Sequence, residues 1–274
     1  MQPPLSCTVR GCGRALVRDH RRLICEAGHS FDVARTGYVS LLQPQDRRSR
    51  MPGDAPEAVA ARARLLEAGV GRAAIDAIVA RAPAASATLV AADLGCGSGE
   101  LLGALAAARD ICGIGIDLST PALEMAARRH PSLTWVVANA DRRLPLLDAS
   151  VDLVLSLNAR RNPAESARVL RPGGLLLVGV PSADDLIELR AAVQGAGIER
   201  ERTDAVVAAH AGFFSLEERF SAREHQRLQG DALRDLLRST YRGARASAAS
   251  RVETLEALEV TLASDVIVMR KRAA

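Results

Sequence analysis

Aromatic side chains are scarce in this 274-residue chain: Phe, Trp and Tyr together make up 3%. Any recognition of unpaired bases by stacking would therefore rest on few rings. Also missing is an uninterrupted apolar run near the roughly 20 residues that span a bilayer, because Arg, Asp or Gly breaks every candidate. No membrane partner is expected. The opening Met1-Gln2-Pro3-Pro4-Leu5-Ser6 lacks the basic and apolar regions of a signal peptide, so a cytoplasmic location is expected. Cysteine is limited to five residues, and disulfides are not expected in such a compartment. There is no internal repeat and no low-complexity tail.

What is present is a globular composition. Hydrophobic residues make up 48% and charged ones 25%, enough apolar material for one ordinary domain with a smaller attachment. The net charge is +4, almost all of the positive charge being arginine. Its distribution is uneven. The first 50 residues hold Arg10, Arg14, Arg18, Arg21, Arg22, Arg35, Arg47, Arg48 and Arg50 against Asp19, Glu26, Asp32 and Asp46. That excess suits phosphate contact, with a merely solvated arginine face as the alternative.

Three of the five cysteines fall in the same stretch. Cys7, Cys12, Cys25 and His29 form a C-x4-C…C-x3-H set flanked by Gly11, Gly13 and Gly28. Thiolates with one imidazole favour Zn²⁺, and four protein ligands leave no open position, so a structural metal is expected. Free buried cysteines are the alternative. Residues 1–42 read as a metal-held module, 43–82 as a helical linker, and 83–274 as the main domain. Cys96 and Cys112 read as small core residues, as does Trp135, while His20, His130, His210 and His225 read as surface residues.

From Ala55 to Arg81 the apolar spacing is helical, with a break at Gly69-Val70-Gly71. Strands are then expected at 88–93, 111–117, 133–138, 151–157 and 175–180, with helices between them. Further helices are expected near 184–194 and 231–238, and β-like runs at 218–228 and 258–269. The alternation implies an α/β fold, a mostly parallel sheet covered by helices on both faces.

The first of these strands closes into Asp93-Leu94-Gly95-Cys96-Gly97-Ser98-Gly99-Glu100. Ligands of such sheets bind at this turn. Glu100 stands where a dinucleotide fingerprint needs its third glycine. The G-x-G-x-G loop after an acidic residue instead resembles the first motif of class I S-adenosylmethionine (SAM) methyltransferases. Asp117 ends the second strand, where a carboxylate can accept from both ribose hydroxyls, and Asn139-Ala140 ends the third, where an amide can meet adenine. The candidate cofactor-binding residues are Asp93, Gly95, Gly97, Gly99, Glu100, Leu101, Asp117, Leu118, Asn139, Ala140 and Asp185.

Taken in order, the Cys7…Cys12…Cys25…His29 set, Phe31–Leu42, Arg48–Asp54, Ala61–Gly69, the SAM loop and Leu170–Val178 resemble the bacterial 23S ribosomal RNA (guanine-N1) methyltransferases. The resemblance implies a Rossmann-like, seven-stranded class I SAM-methyltransferase domain with a small N-terminal zinc-binding module. It also implies a homodimer whose zinc module grips a 23S rRNA hairpin, with methyl transfer to guanine N1. One branch of that family confers resistance to macrolides such as tylosin. The chain departs from the pattern in places. Its first cysteine pair is C-x4-C rather than C-x2-C. Asn158-Ala159-Arg160-Arg161-Asn162-Pro163 replaces an aromatic-Ala-Pro segment, Gly71 replaces an aromatic residue, Asp185 stands for a His that touches the cofactor, and a Thr-Pro…Trp segment is missing near Ser239–Arg242. No general base stands out; Asp141, Asn158 and Asp185 are candidates by position. Two other readings stay open: a small-molecule methyltransferase of the same fold, and a non-catalytic zinc-bearing rRNA-binding or assembly protein that binds SAM.

Overall fold

The computed structural model describes residues 1–43, 53–84, 87–194, 202–240 and 256–273. Arg47, Arg48, Arg50, Tyr241 and Arg242 lie outside them. In chain order the elements are β1 (Leu16–Asp19), β2 (Arg22–Cys25), β3 (Ser30–Asp32), β4 (Tyr38–Ser40), α1 (Pro56–Glu67), α2 (Arg72–Arg81), β5 (Leu89–Leu94), α3 (Glu100–Ala108), β6 (Ile111–Asp117), α4 (Thr120–Arg129), β7 (Thr134–Val137), β8 (Val151–Leu157), α5 (Pro163–Val169), β9 (Leu170–Pro181), α6 (Ile187–Gln194), α7 (Thr203–His210), β10 (Phe214–Gln229), α8 (Gly230–Ser239) and β11 (Ala257–Lys271).

Among the described residues the main sheet runs β10-β11-β9-β8-β5-β6-β7-β4. The seven strands from β5 onward are the expected set. The eighth, β4, comes from the N-terminal module and pairs in parallel with β7, Tyr38 opposite Trp135. Strands β5 to β9 are parallel to their neighbours, and β11 and β10 close the far edge antiparallel. Every residue of β5 is buried, as a central strand covered on both faces requires. The chain leaves β5 for β6 on one side and later returns to β8 on the other. That reversal opens a crevice beyond the strand ends.

The N-terminal strands β1, β2 and β3 form a separate antiparallel sheet. They are too short to carry a core alone. Leu5, Leu16, Leu23 and Val33 instead pack in one cluster with Ile114, Ile116, Val136 and Leu146 of the main domain. Backbone bonds from Ser6 N–H to the Pro145 carbonyl (3.0 Å) and Leu147 N–H to the Pro4 carbonyl (3.0 Å) tie the two parts. The other face holds a second cluster around Leu102, Leu105, Leu123 and Trp135.

Two helices are fixed by capping chemistry. Ser119 accepts from Ala122 N–H ahead of α4, and Asn162 accepts from Glu165 N–H ahead of α5, each with a proline in the first turn. Helix α1 is tied to α8 by a two-pronged ion pair, both Arg64–Asp235 distances being 2.7 Å. Asp235 is buried, and the guanidinium supplies the hydrogen-bond donors that its burial requires.

Helix α7 and the short strands β1 to β3 were not among the expected elements. His210 and His130 also differ from their surface reading. His210 is buried at the end of α7, with Nδ1 2.7 Å from the Val206 carbonyl, so the ring satisfies a helix-end acceptor. His130 is half-buried beside Trp135. Trp135 and Cys96 are buried as expected; Cys112 is half-buried.

Gly115 on β6 faces the Trp135 ring so closely that a Cβ there would overlap it and lie 2.8 Å from Cys96 Sγ. Gly115→Ala should therefore lower folding stability by about 1–3 kcal/mol through overpacking. A reduced midpoint in urea unfolding, at unchanged slope, is the expected result.

Candidate functional site

The β5 strand end and its glycine loop form the first part of the site. Gly95 N–H donates to the Ile116 carbonyl (2.8 Å), closing the loop against β6. Gly97 N–H donates to Asp117 Oδ2 (2.9 Å), and Ser119 N–H to Asp117 Oδ1 (2.7 Å). Each Asp117 oxygen keeps a further lone pair, which suits a vicinal diol. A Cβ at Gly95 would collide with Ala159, so the loop is pressed against the segment after β8. Gly97 has φ +54 and open space where its side chain would be. That is a cradle only glycine leaves free.

Asp93 lies beneath this loop, 1% exposed, with no hydrogen-bond partner for Oδ2 among the described residues. Burial, reinforced by Asp117 and Glu100, pushes its carboxyl up to about 8. Burial also raises Asp117, opposed by the amide bonds from Ser119 and Gly97. A ligand with net positive charge fits here, because it would satisfy an orphaned acceptor and relieve repulsion among carboxylates. SAM, with a sulfonium and an ammonium group against one carboxylate, has that charge. The free N–H groups at the start of α3 suit its carboxylate.

Other expected cofactor contacts are placed differently. Glu100 Oε1 accepts from both Ser98 Oγ (2.6 Å) and Arg129 Nη1 (3.0 Å), so one oxygen of its carboxylate is taken up within the protein. The Leu101 side chain is buried in the core. Asn139 Oδ1 accepts from Asp141 N–H (2.9 Å) in an Asx turn, which leaves the amide nitrogen to donate. Leu118 and Ala140 are half-buried at the same strand ends. Asp141 is exposed and paired with Arg160 at 2.9 Å.

The second part is metallic in geometry. Donor atoms of Cys7, Cys12, Cys25 and His29 all lie within 4.8 Å of one another. Cys12 Sγ and Cys25 Sγ are 3.8 Å apart, and His29 Nδ1 is 3.4 Å from both Cys7 Sγ and Cys25 Sγ. A tetrahedron with Zn–S near 2.3 Å has edges of about 3.8 Å between sulfurs and about 3.6 Å from sulfur to nitrogen. The four residues fit zinc. Burial pushes the Cys7 thiol up to about 12, so a thiolate there calls for an adjacent cation.

The third part, missed at the sequence level, is a cavity of about 200 Å³ beside the β8 end. Its walls come from α1, α2, β10, α8 and β11, with Asn158 and Asp185 among the lining residues. Two of the three proposed acid–base candidates thus come together, while Asp141 stays outside. The amphipathic pattern of α8 was the available signal, but nothing in it named α1 as partner.

Comparison with known proteins agrees with this geometry. Residues 91–174 match a family model described as a methyltransferase domain, and residues 6–50 match the zinc ribbon model described as RlmA, N-terminal. The YcgJ protein of Bacillus subtilis superposes with a TM-score of 0.53 at 17% identity, over 73% of this chain and 98% of that one. The [4+2]-cyclase SpnF superposes with a TM-score of 0.52 at 17% identity, over 74% and 82%. The fold is that of the class I SAM-dependent methyltransferases, with an N-terminal zinc ribbon attached. Among sequence relatives, the 23S rRNA (guanine(748)-N(1))-methyltransferase of Streptomyces fradiae is 40% identical over 195 residues, covering 70% of this chain and 68% of its own. The chain belongs to the 23S rRNA (guanine-N1) methyltransferase family. Among the described residues no helix is long and apolar enough to cross a membrane.

Two outcomes follow from the geometry. Cys25→Ser should lower bound zinc below the parent stoichiometry, read by atomic absorption. Because the ribbon shares its core with the sheet, the melting temperature of the whole chain should fall with it. For Asp93, a carboxyl raised from 3.8 to about 8 favours folding below pH ~4 and loses that contribution as pH rises towards 8. Asp93→Asn should flatten stability between those values, measured by urea unfolding across the range.

Proposed function

We propose that this protein transfers the methyl group of SAM to N1 of a guanine in 23S rRNA. One observation carries the reading: the cradle of Asp93, Gly97 and Asp117 and the Cys7–His29 metal cluster stand on one chain of this family. The domain division is part of the proposal, with residues 1–42 as RNA-recognition module, 43–82 as linker and 83–274 as catalytic domain.

Bound SAM supplies an activated methyl on a sulfonium: the S–CH₃ bond breaks as the N1–CH₃ bond forms, and S-adenosylhomocysteine leaves. The protein's residues would do the rest. Asp117 would accept from the ribose hydroxyls, Asn139 would donate to adenine, and Asp93 would sit under the cationic methionine end. Cys7, Cys12, Cys25 and His29 would hold zinc away from the chemistry. On the ribbon, Arg10, Arg21 and Arg35 are exposed, with no acidic partner among the described residues. Such free guanidinium groups suit the phosphates of an RNA hairpin. The target base must leave its stack to reach the methyl. A homodimer and protection against macrolides belong to the same proposal; sedimentation and expression in a susceptible host test them.

The mostly apolar cavity favours a second reading, a small-molecule acceptor. A transfer assay with labelled SAM against ribosomes, free rRNA and metabolite pools separates the two. Label at a guanine of 23S rRNA is the expected outcome; label confined to metabolites replaces the proposal with the second reading. Gly97→Val should weaken SAM binding about tenfold or more in titration calorimetry, since its side chain fills the open cradle and its backbone is strained.

A further inference from the structure

The cavity beside the glycine loop has a feature that neither SAM binding nor metal binding uses. Asp185 lines it, half-buried and with one oxygen uncommitted: Oδ1 accepts from Ala263 N–H (2.9 Å), and Oδ2 has no hydrogen-bond partner among the described residues. Most other lining groups are apolar, Leu65, Leu66, Val70, Leu157, Leu186 and Leu262 among them. Asn158 also lines the cavity, and its neighbour Ala159 touches Gly95 of the glycine loop. The cavity and the proposed methyl donor therefore share a wall.

The backbone marks the same place. Among the described residues four non-glycine residues have positive φ, and two of them, Asn158 (+55) and Leu186 (+53), line this cavity. For a leucine that conformation costs roughly 1–2 kcal/mol. It is held by Leu186 N–H donating to the Thr261 carbonyl (2.7 Å). The strain turns the chain so that Asp185 and Leu186 both face inward, and strain of this kind concentrates at sites of function.

Among the nucleic-acid bases, guanine alone presents two adjacent donors, N1–H and N2–H, on its pairing edge. A carboxylate accepts both at once. Adenine and cytosine place an acceptor beside their amino group, and uracil flanks N3–H with two carbonyls. A largely apolar slot with one half-buried, uncommitted carboxylate is thus complementary to a flipped guanine. We propose that this cavity seats the acceptor guanine and that Asp185 reads its N1–H/N2–H edge and takes the N1 proton, an inference that rests on the guanine-methylation reading above.

The step balances without a further reactant. The N1–H bond breaks, an O–H bond forms on Asp185, and the electron pair stays on N1, delocalised towards O6. Asp185 then keeps N2–H, and the in-plane pair of N1 is left for the methyl. The carboxyl afterwards returns its proton to solvent. Burial raises Asp185 to about 6, opposed by Ala263 N–H and by Arg190 and Arg202 and assisted by Asp184. Arg62 of α1 and Glu224 of β10 are the other charged lining residues; Glu224 is held by the N–H groups of Gly71 and Ala73, and Arg223 is paired with Asp184. At neutral pH the carboxylate is ionised yet basic enough to accept a proton.

Asp185→Asn keeps an acceptor for Ala263 N–H and removes the base. With 23S rRNA as substrate, kcat should fall about 100-fold or more. The parent's acidic limb near pH 6 should vanish, while SAM affinity by calorimetry stays within threefold. Asp185→Glu should restore part of the rate if the fold tolerates it, as a merely structural role would not require. A variant that retains kcat and the same acidic limb would overturn the proposal. So would one that loses SAM affinity but keeps kcat at saturation, which would make Asp185 a cofactor contact. If the parent methylates no RNA at all, the failure lies in the guanine reading instead.

Discussion

Strand β5 lies wholly out of water between β6 and β8, and the cofactor-side features of the site hang from the point where it stops. A parallel strand buried on both faces can end only where its backbone finds other partners. Here Gly95 and Cys96 N–H groups turn back onto the Ile116 carbonyl, and Gly97 N–H turns onto Asp117. The loop is thus pinned by β6 before any ligand is considered. This leaves Asp93 beneath it, without water and without a donor for one oxygen. The sheet's own stability holds that carboxyl in place, which is how a costly group persists in a folded protein.

The same sheet supports the N-terminal ribbon. A metal replaces the core that three strands of three or four residues cannot build, yet it does not make the ribbon independent. Leu5, Leu16 and Leu23 pack on one face of the sheet, and β4 extends the sheet past β7. The ribbon's arginines are therefore joined to the glycine-loop side of the sheet through a shared core. In the proposed reaction that shared core would set the offset between the phosphate contacts and the reacting base.

The sequence made the centre of this arrangement legible because its signals are local. The glycine spacing, Asp117 at a strand end and the four metal ligands each announce themselves within a few residues. The α1–α2 break at Gly69-Val70-Gly71 was readable for the same reason. What escaped is non-local. Strands β1 to β3 are too short to show a period, and β4 joins a sheet whose other strands begin some fifty residues later. Helix α7 is two turns around the continuous apolar run Ala205–Ala209, too short to show a period, and His210 is seated against the Val206 carbonyl and the Phe214 ring. Glu100 reads as a candidate cofactor contact, and its bonds to Ser98 and to Arg129 of α4 are not visible in the loop's own spacing. The cavity needs α1, β10, α8 and β11 at once, and no pattern within one of them implies the others.

Three aspartates at three strand ends show how one residue type is given different tasks by its surroundings. Asp117, supplied with two amide donors, is suited to accept from hydroxyls without changing its protonation. Asp93, with no donor to Oδ2 and two carboxylates nearby, is suited to meet a cation and to release its proton in doing so. Asp185, bonded once and surrounded mostly by apolar walls, is raised by less and stays open to exchange with a bound partner. In the proposed reaction the methyl donor's charge and the acceptor's proton are thus handled by separate carboxylates, on either side of the contact of Gly95 with Ala159. That contact lets the acceptor cavity lie beside the donor loop without sharing its electrostatics.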